Sequence, residues 1–247
     1  MKKSIIIFFI LLQICVNSKE MNWISKMMET EKGACGYYAR TAFSRDFNEM
    51  DCGSFRHLAG NYYRDKKNVY LYLEDNRHMG YVILENLNPD AFVMINDMYV
   101  RDDKNVYMYD FYLEGADVKT FSILNGLVSK DKNAVYYYGK KIENADPATF
   151  EIIDSSYFKD KKNIYYEGKV INGAERSTFQ LLDTGYSYSS SYSKDRKNVY
   201  FRGEKITGAD PRSFEYIEGP FSKDKNSVYN YGEKMEGKNP KTFVVPK

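Results

Sequence analysis

The chain is poor in the residues on which most metal and acid–base chemistry depends. It has two histidines, three cysteines and one tryptophan in 247 residues. With only His57 and His78, imidazole-based acid–base catalysis has few places to sit. Neither histidine stands at a metal-ligand spacing from another ligand. Neither sign of charge is in excess: 36 basic residues face 34 acidic ones, finely mixed, for a formal charge of +2. That balance provides no electrostatic funnel for nucleic acid and reads as a solvated surface. Glycine and proline are not extreme. A long apolar run is missing too: the longest, Ile5 to Val16, has 12 residues, short of the about 20 that a membrane-spanning helix needs.

That run, preceded by Lys2 and Lys3, fits a secretory signal over residues 1–18, with Val16 and Ser18 as the small residues before cleavage. A lipoprotein signal ending in LLQIC, with Cys15 lipidated, is the alternative, although Ile14 is bulky for that role. An uncleaved anchor is a third reading. Export would permit a disulfide between Cys35 and Cys52. It would close a loop of 17 residues, worth roughly 3 kcal/mol on chain-entropy grounds; the alternative is two unpaired buried cysteines.

What the chain has in abundance is tyrosine, 24 residues, and a repeat. Phe92, Phe121, Phe150, Phe179, Phe214 and Phe243 are spaced 29, 29, 29, 35 and 29 residues apart, with Phe55 an earlier member. Four residues before each phenylalanine stands Asp51, Asn88, Asp117, Asp146, Glu175, Asp210 or Asn239. Pro89, Pro147, Pro211 and Pro240 directly follow four of these. In NADPATF, Asp146 can cap a short helical turn with Pro147 at its first position, where a missing N–H costs nothing. Four residues cannot hold a helix alone, so Phe150 must anchor the turn.

A second signature follows: RDKKNVY at 64–70, RDDKNVY at 101–107, KDKNAVY at 130–136, KDKKNIY at 159–165, KDRKNVY at 194–200 and KDKNSVY at 223–229. An apolar run, a polar four-residue segment and another apolar run make a hairpin pattern. Asp131 can accept backbone N–H groups in an Asx-type turn, and Asn68, Asn105, Asn163 and Asn198 suit unusual backbone angles near its close. A second tight reversal at Gly139 leads to Ile142, so each unit reads as three short strands. Alternation puts Val69, Val106, Val135, Ile164, Val199 and Val228 inward. The next residue is always tyrosine (Tyr70, Tyr107, Tyr136, Tyr165, Tyr200, Tyr229), read as a packing ladder whose hydroxyl finds a polar partner. If that register is buried and the alternate tyrosines are scattered, an extended aromatic platform is excluded.

The expected fold is all-β: tandem three-strand repeats of about 29 residues over 51–247, stacked as an elongated or gently curved array with capped helical turns between units. An elongated array is favoured over a closed propeller because three strands fall short of a four-stranded blade. Residues 19–50 lack the hairpin motif and read as a cap over the open end. The two places where the repeat is stretched, LYLEDNRHMGYVILENLNPDAF and LLDTGYSYSSSYSKD, are better candidates for recognition than any consensus residue.

The DKxxVY segments, followed by YYxGKxI and ADPxTF, resemble the DKNYY family of bacterial repeat proteins. The resemblance spans about Asp51 to Val244. It implies a repeat organisation with an envelope or secreted address, and it carries over no catalytic residues. The sequence accordingly assigns no catalytic, cofactor-binding or metal residues and no cofactor. Calcium is disfavoured because KDKN offers one carboxylate flanked by cations. The expected function is a non-enzymatic exported or envelope protein presenting a surface to a cell-wall glycan or an envelope protein, with no nucleic-acid partner. Membrane association would come only through Cys15 lipidation or an uncleaved signal. The alternatives are a purely structural envelope protein and a carbohydrate-active enzyme using paired carboxylates.

Overall fold

The computed structural model describes residues 50–74, 79–182 and 192–246. The expected signal, nearly all of the expected cap, Cys35, His78 and most of the Ser/Tyr-rich insertion lie outside them. Two compact units divide between Glu114 and Gly115. Among the described residues no helix is long and apolar enough to cross a membrane.

The described chain forms six four-stranded antiparallel sheets, each a simple meander in chain order. Sheet 1 runs Arg56–Ala59, Tyr62–Arg64, Val69–Glu74 and Met79–Leu84. Sheet 2 comprises Val93–Met94, Tyr99–Arg101, Val106–Met108 and Phe111–Tyr112. Sheet 3 comprises Ser122–Ile123, Val128–Lys130, Val135–Tyr137 and Lys140–Lys141. Sheet 4 follows with Glu151–Ile152, Tyr157–Lys159, Ile164–Tyr166 and Lys169–Val170. Sheet 5 has Gln180–Leu181, Tyr192–Lys194, Val199–Phe201 and Glu204–Lys205. Sheet 6 has Glu215–Glu218, Phe221–Lys223, Val228–Asn230 and Glu233–Lys234. The tandem β-repeat is thus present, but the three-strand unit is corrected to four. The added strand is the pair of residues just after the anchoring phenylalanine; in sheet 3, Ser122 pairs with Lys130 and Ile123 with Ser129. Two residues are too few to show an alternation. The eight-residue excess of the first repeat enters the hairpin of Val69–Glu74 and Met79–Leu84, strands of six residues each where the counterparts have three and two.

Both faces of the central strands are covered. Within the first unit Val69 of sheet 1 shares a core with Tyr107 of sheet 2. Within the second, Val135 meets Tyr165, Ile164 meets Tyr200, and Val199 meets Tyr229. Within each unit the aliphatic face of one sheet therefore packs on the tyrosine face of the next, and each of these interfaces also takes a phenylalanine from a turn, such as Phe150 or Phe214. At the start, Met50, Phe55 and Tyr81 cover Tyr70, with Cys52 beside them. Cys52 is the single cysteine among the described residues, so no cysteine pair at disulfide distance occurs among them, and the expected Cys35–Cys52 bond falls on Cys35, outside the described residues.

The left-handed backbone expected at Asn68 and its equivalents lies elsewhere. It occurs at the second reversal, where Tyr138–Gly139, Glu167–Gly168, Arg202–Gly203 and Tyr231–Gly232 all have φ between 47° and 79°. Positive φ at both central residues marks the two-residue turn whose twist suits a hairpin. The glycine has a second reason to be there. A Cβ on Gly203 would lie 2.6 Å from Cβ of Tyr166, and one on Gly232 2.6 Å from Cβ of Phe201. The turn of one sheet sits directly on an aromatic side chain of the sheet before it.

Gly203→Ala should therefore destabilise the second unit by about 2–4 kcal/mol, combining backbone strain with a core clash. Gly208, with φ 81° and open space around it, supplies the control: Gly208→Ala should cost only about 1 kcal/mol. Urea unfolding of the two variants measures the difference, and equal losses would refute the close-packing account.

Candidate functional site

The most densely bonded group in each repeat is the aspartate that opens the DKxx turn. In sheet 4, Asp160 Oδ1 accepts the N–H groups of Lys162 and Asn163, both at 2.7 Å. Those bonds are the expected Asx turn. The other oxygen reaches further. Asp160 Oδ2 accepts the Tyr165 hydroxyl at 2.7 Å and the backbone N–H of Asp146, fourteen residues earlier, at 2.9 Å. Asp65, Asp131, Asp195 and Asp224 repeat the arrangement with Tyr70, Tyr136, Tyr200 and Tyr229 and with the N–H of Asp51, Asp117, Glu175 and Asp210. All of these aspartates are buried.

Two further contacts fasten the capped turn to the hairpin. Thr149 Oγ1 accepts the Lys161 N–H at 3.1 Å, and Lys161 Nζ lies 2.7 Å from Asp146 Oδ2. Thr120, Thr178, Ser54 and Ser213 accept the corresponding N–H groups. Lys132, Arg196, Lys66 and Lys225 make the corresponding ion pairs. The exception explains the rule. Where the cap is the uncharged Asn88, the lysine position is Asp103 and the hydroxyl position is Ala91. There the Asp102 carboxylate still takes the Asn88 N–H at 2.7 Å, but Asn105 Nδ2 replaces the tyrosine, and the Tyr107 hydroxyl turns to the Glu85 carbonyl.

The consensus is therefore an internal clamp. Asp131, Asp146 and the tyrosine register are fully engaged, and Tyr70, Tyr136, Tyr165, Tyr200 and Tyr229 are all at most 2% exposed. An extended aromatic platform on that register is excluded. The alternate positions do not supply one either: Tyr137 and Tyr166 are half-buried against the cores of the following sheets. Among the described residues no group of three or more His, Cys, Asp or Glu side chains is arranged to hold a metal ion. Sequence reasoning missed the long reach of Oδ2 and the accepting role of Thr149. The signal available was the joint loss of acid, lysine and hydroxyl in the Asn88 repeat.

Recognition groups must be sought at departures from the repeat. Sheet 2 carries the clearest. Its last strand is Phe111–Tyr112 where sheets 3 to 6 have Lys140–Lys141, Lys169–Val170, Glu204–Lys205 and Glu233–Lys234. Tyr109, at the turn of the same hairpin, Phe111 and Tyr112 are 39%, 45% and 42% exposed. The Tyr112 ring lies 5.3 Å from that of Tyr107, and its hydroxyl donates to Asn105 Oδ1 at 3.2 Å. Packing and a hydrogen bond thus hold one aromatic in a fixed orientation at the surface.

The clamp has consequences for stability. Burial alone would raise the Asp65, Asp102, Asp160, Asp195 and Asp224 carboxyls, yet the converging hydrogen bonds outweigh it and hold all five below the usual range. Desolvation, and then the neighbouring aspartate, push the Tyr165 and Tyr229 hydroxyls up to about 12. The unfolded chain thus binds protons on these aspartates at higher pH than the fold does, so their stabilisation is full above about pH 4 and is lost as the pH falls through the depressed values. For the tyrosines the folded value is raised, so stability is lost as the pH climbs above about 10. Urea midpoints should stay level between pH 5 and 9 and fall at both ends; a flat profile down to pH 2 would contradict the clamp. Asp160→Asn presents an amide to a donor-filled site and should cost about 2–4 kcal/mol, against about 1–2 for Tyr165→Phe. Denaturant titration of both variants checks the order.

A family model described as the DKNYY family matches residues 30–169, 148–193 and 192–246, together most of the sequence. The match begins within the region read as a cap. No curated protein and no solved structure matches the chain. The clamp accounts physically for the DKxxVY and DPxTF segments on which the family resemblance rests, and the chain belongs to the DKNYY family.

Proposed function

We propose that the chain is a non-enzymatic, exported β-repeat protein that binds an envelope glycan through the aromatic hairpin of sheet 2. The observation that carries this reading is the exposure of Phe111 and Tyr112 on a strand that carries charged residues in sheets 3 to 6, beside Tyr109 at a turn position where Tyr138 and Tyr231 are exposed too. An aromatic ring offers an apolar face to the C–H side of a sugar, and a polar handle beside it takes the hydroxyls. Here Asp110, exposed and between Tyr109 and Phe111 in sequence, supplies a polar group on the same hairpin. The apolar run behind two lysines at the start of the sequence supports the exported address. A purely structural role in the envelope is the second reading, favoured by how completely the consensus is engaged in packing.

Retention on insoluble cell-wall polysaccharide is the test. Phe111→Ala and Tyr112→Ala should each weaken retention about tenfold, the equivalent of about 1.4 kcal/mol, while a lysine exchange at Val170 in sheet 4 leaves it unchanged. No retention on any wall polysaccharide would sink the glycan reading and leave the structural one.

A further inference from the structure

A second departure from the repeat lies in the second unit and does not depend on the glycan reading. In three of the six sheets the basic residue just before the clamp aspartate meets an acid. Arg64 pairs with Asp90 at 2.8 Å, Lys159 with Glu151 at 2.9 Å, and Lys223 with Glu215 at 3.1 Å. In sheet 5 the residue opposite Lys194 is Gln180, and no acid stands there either in sheets 2 and 3, where Val93 and Ser122 face Arg101 and Lys130. The cap that follows adds a cation, Arg212, as Lys119 and Lys241 do after sheets 2 and 6, where the caps after sheets 1, 3 and 4 have Asp90, Ala148 and Ser177.

These changes meet in one notch of about 230 Å³, lined by Thr178, Gln180, Lys194, Arg196 and Arg212 with Asp195 at its wall. Its charge is positive on inspection of each group. The Asp195 carboxylate is already taken up by the Glu175, Lys197 and Asn198 N–H groups and the Tyr200 hydroxyl. Arg196 spends one nitrogen on Glu175 at 2.7 Å. Lys194 Nζ is held at 3.1 Å from the Pro211 carbonyl, which fixes the ammonium in place and leaves it further N–H donors. Arg212 is exposed and carries a planar fork of donors suited to an oxyanion.

We propose that this notch binds an oxyanion, a phosphate or carboxylate group borne by a larger ligand. Lys194 and Arg212 supply the charge, and the Gln180 amide and Arg196 supply further donors. The argument rests on the notch itself: Lys194, Arg196, Arg212 and the Gln180 amide line one cavity whose single carboxylate, Asp195, is already saturated with donors.

The test is an NMR titration of the 247-residue chain with inorganic phosphate and, separately, with glucuronate, at constant low ionic strength. Saturable amide shifts confined to Gln180, Lys194, Arg196 and Arg212 are expected. Arg212→Ala should weaken binding about tenfold. Gln180→Glu, which restores the acid that sheets 4 and 6 already accommodate, should abolish it without loss of folding. Tighter binding of either probe supports the site and identifies the oxyanion. Shifts that fail to saturate, or that both variants leave unchanged, would overturn it.

Discussion

Everything else in this structure depends on the saturation of one buried carboxylate per repeat. Removing a charged aspartate from water is costly unless hydrogen bonds replace its hydration. Here four donors converge on it, two from its own turn, one from the tyrosine five residues on, and one from a backbone N–H fourteen or, in sheet 5, twenty residues back. The first pair shapes the hairpin. The second pair ties two segments that are remote in sequence and seats a tyrosine ring in the core between sheets. A short two-residue strand or a four-residue turn has little stability of its own; bonded to the same carboxylate, they become one module.

The same logic explains which positions vary together. The cap acid, the lysine after the clamp aspartate and the turn hydroxyl form a single surface layer over the clamp. Asn88, Asp103 and Ala91 lose all three features at once, because an asparagine cap has no charge for a lysine to meet. Glu175, one methylene longer than aspartate, is met by Arg196, a longer and forked base. The internal layer tolerates less. Even where Tyr107 leaves the carboxylate, an asparagine side chain fills its place.

Much of this was legible from residues alone. The 29-residue period, the two hairpin reversals, the Asx turn at Asp131 and the buried aliphatic register all follow from local pattern, because each involves groups close in sequence. The fourth strand escaped notice because Ser122–Ile123 shows no alternation. Left-handed backbone was expected at Asn68 on residue preference, yet the twist of the strands demands it at Tyr138 and Arg202, residues with no such preference. Tyrosine burial on one face and aliphatic burial on the other was only half readable: alternation separates faces, but it does not say that both are covered. The reach of Asp160 Oδ2 to Asp146 is a tertiary contact, and a single carboxylate in the sequence does not reveal which of its oxygens is already occupied.

A scaffold whose clamp groups are engaged in holding each module together constrains where recognition can occur. A ligand competing for Asp160 or Tyr165 would have to break a bond that holds the module together. Exposed positions outside the clamp carry no such penalty, and a change there alters surface chemistry while the fold persists. Phe111 and Tyr112 stand where sheets 3 to 6 place charged residues, and Gln180 stands where sheets 4 and 6 place glutamate. Both differences lie on outer strands that pair along one edge only, where a side chain can change its character without disturbing a core. The first gives an apolar, aromatic surface and the second a cationic one, so one repeat architecture offers two kinds of chemistry through substitutions at positions its own stability does not need.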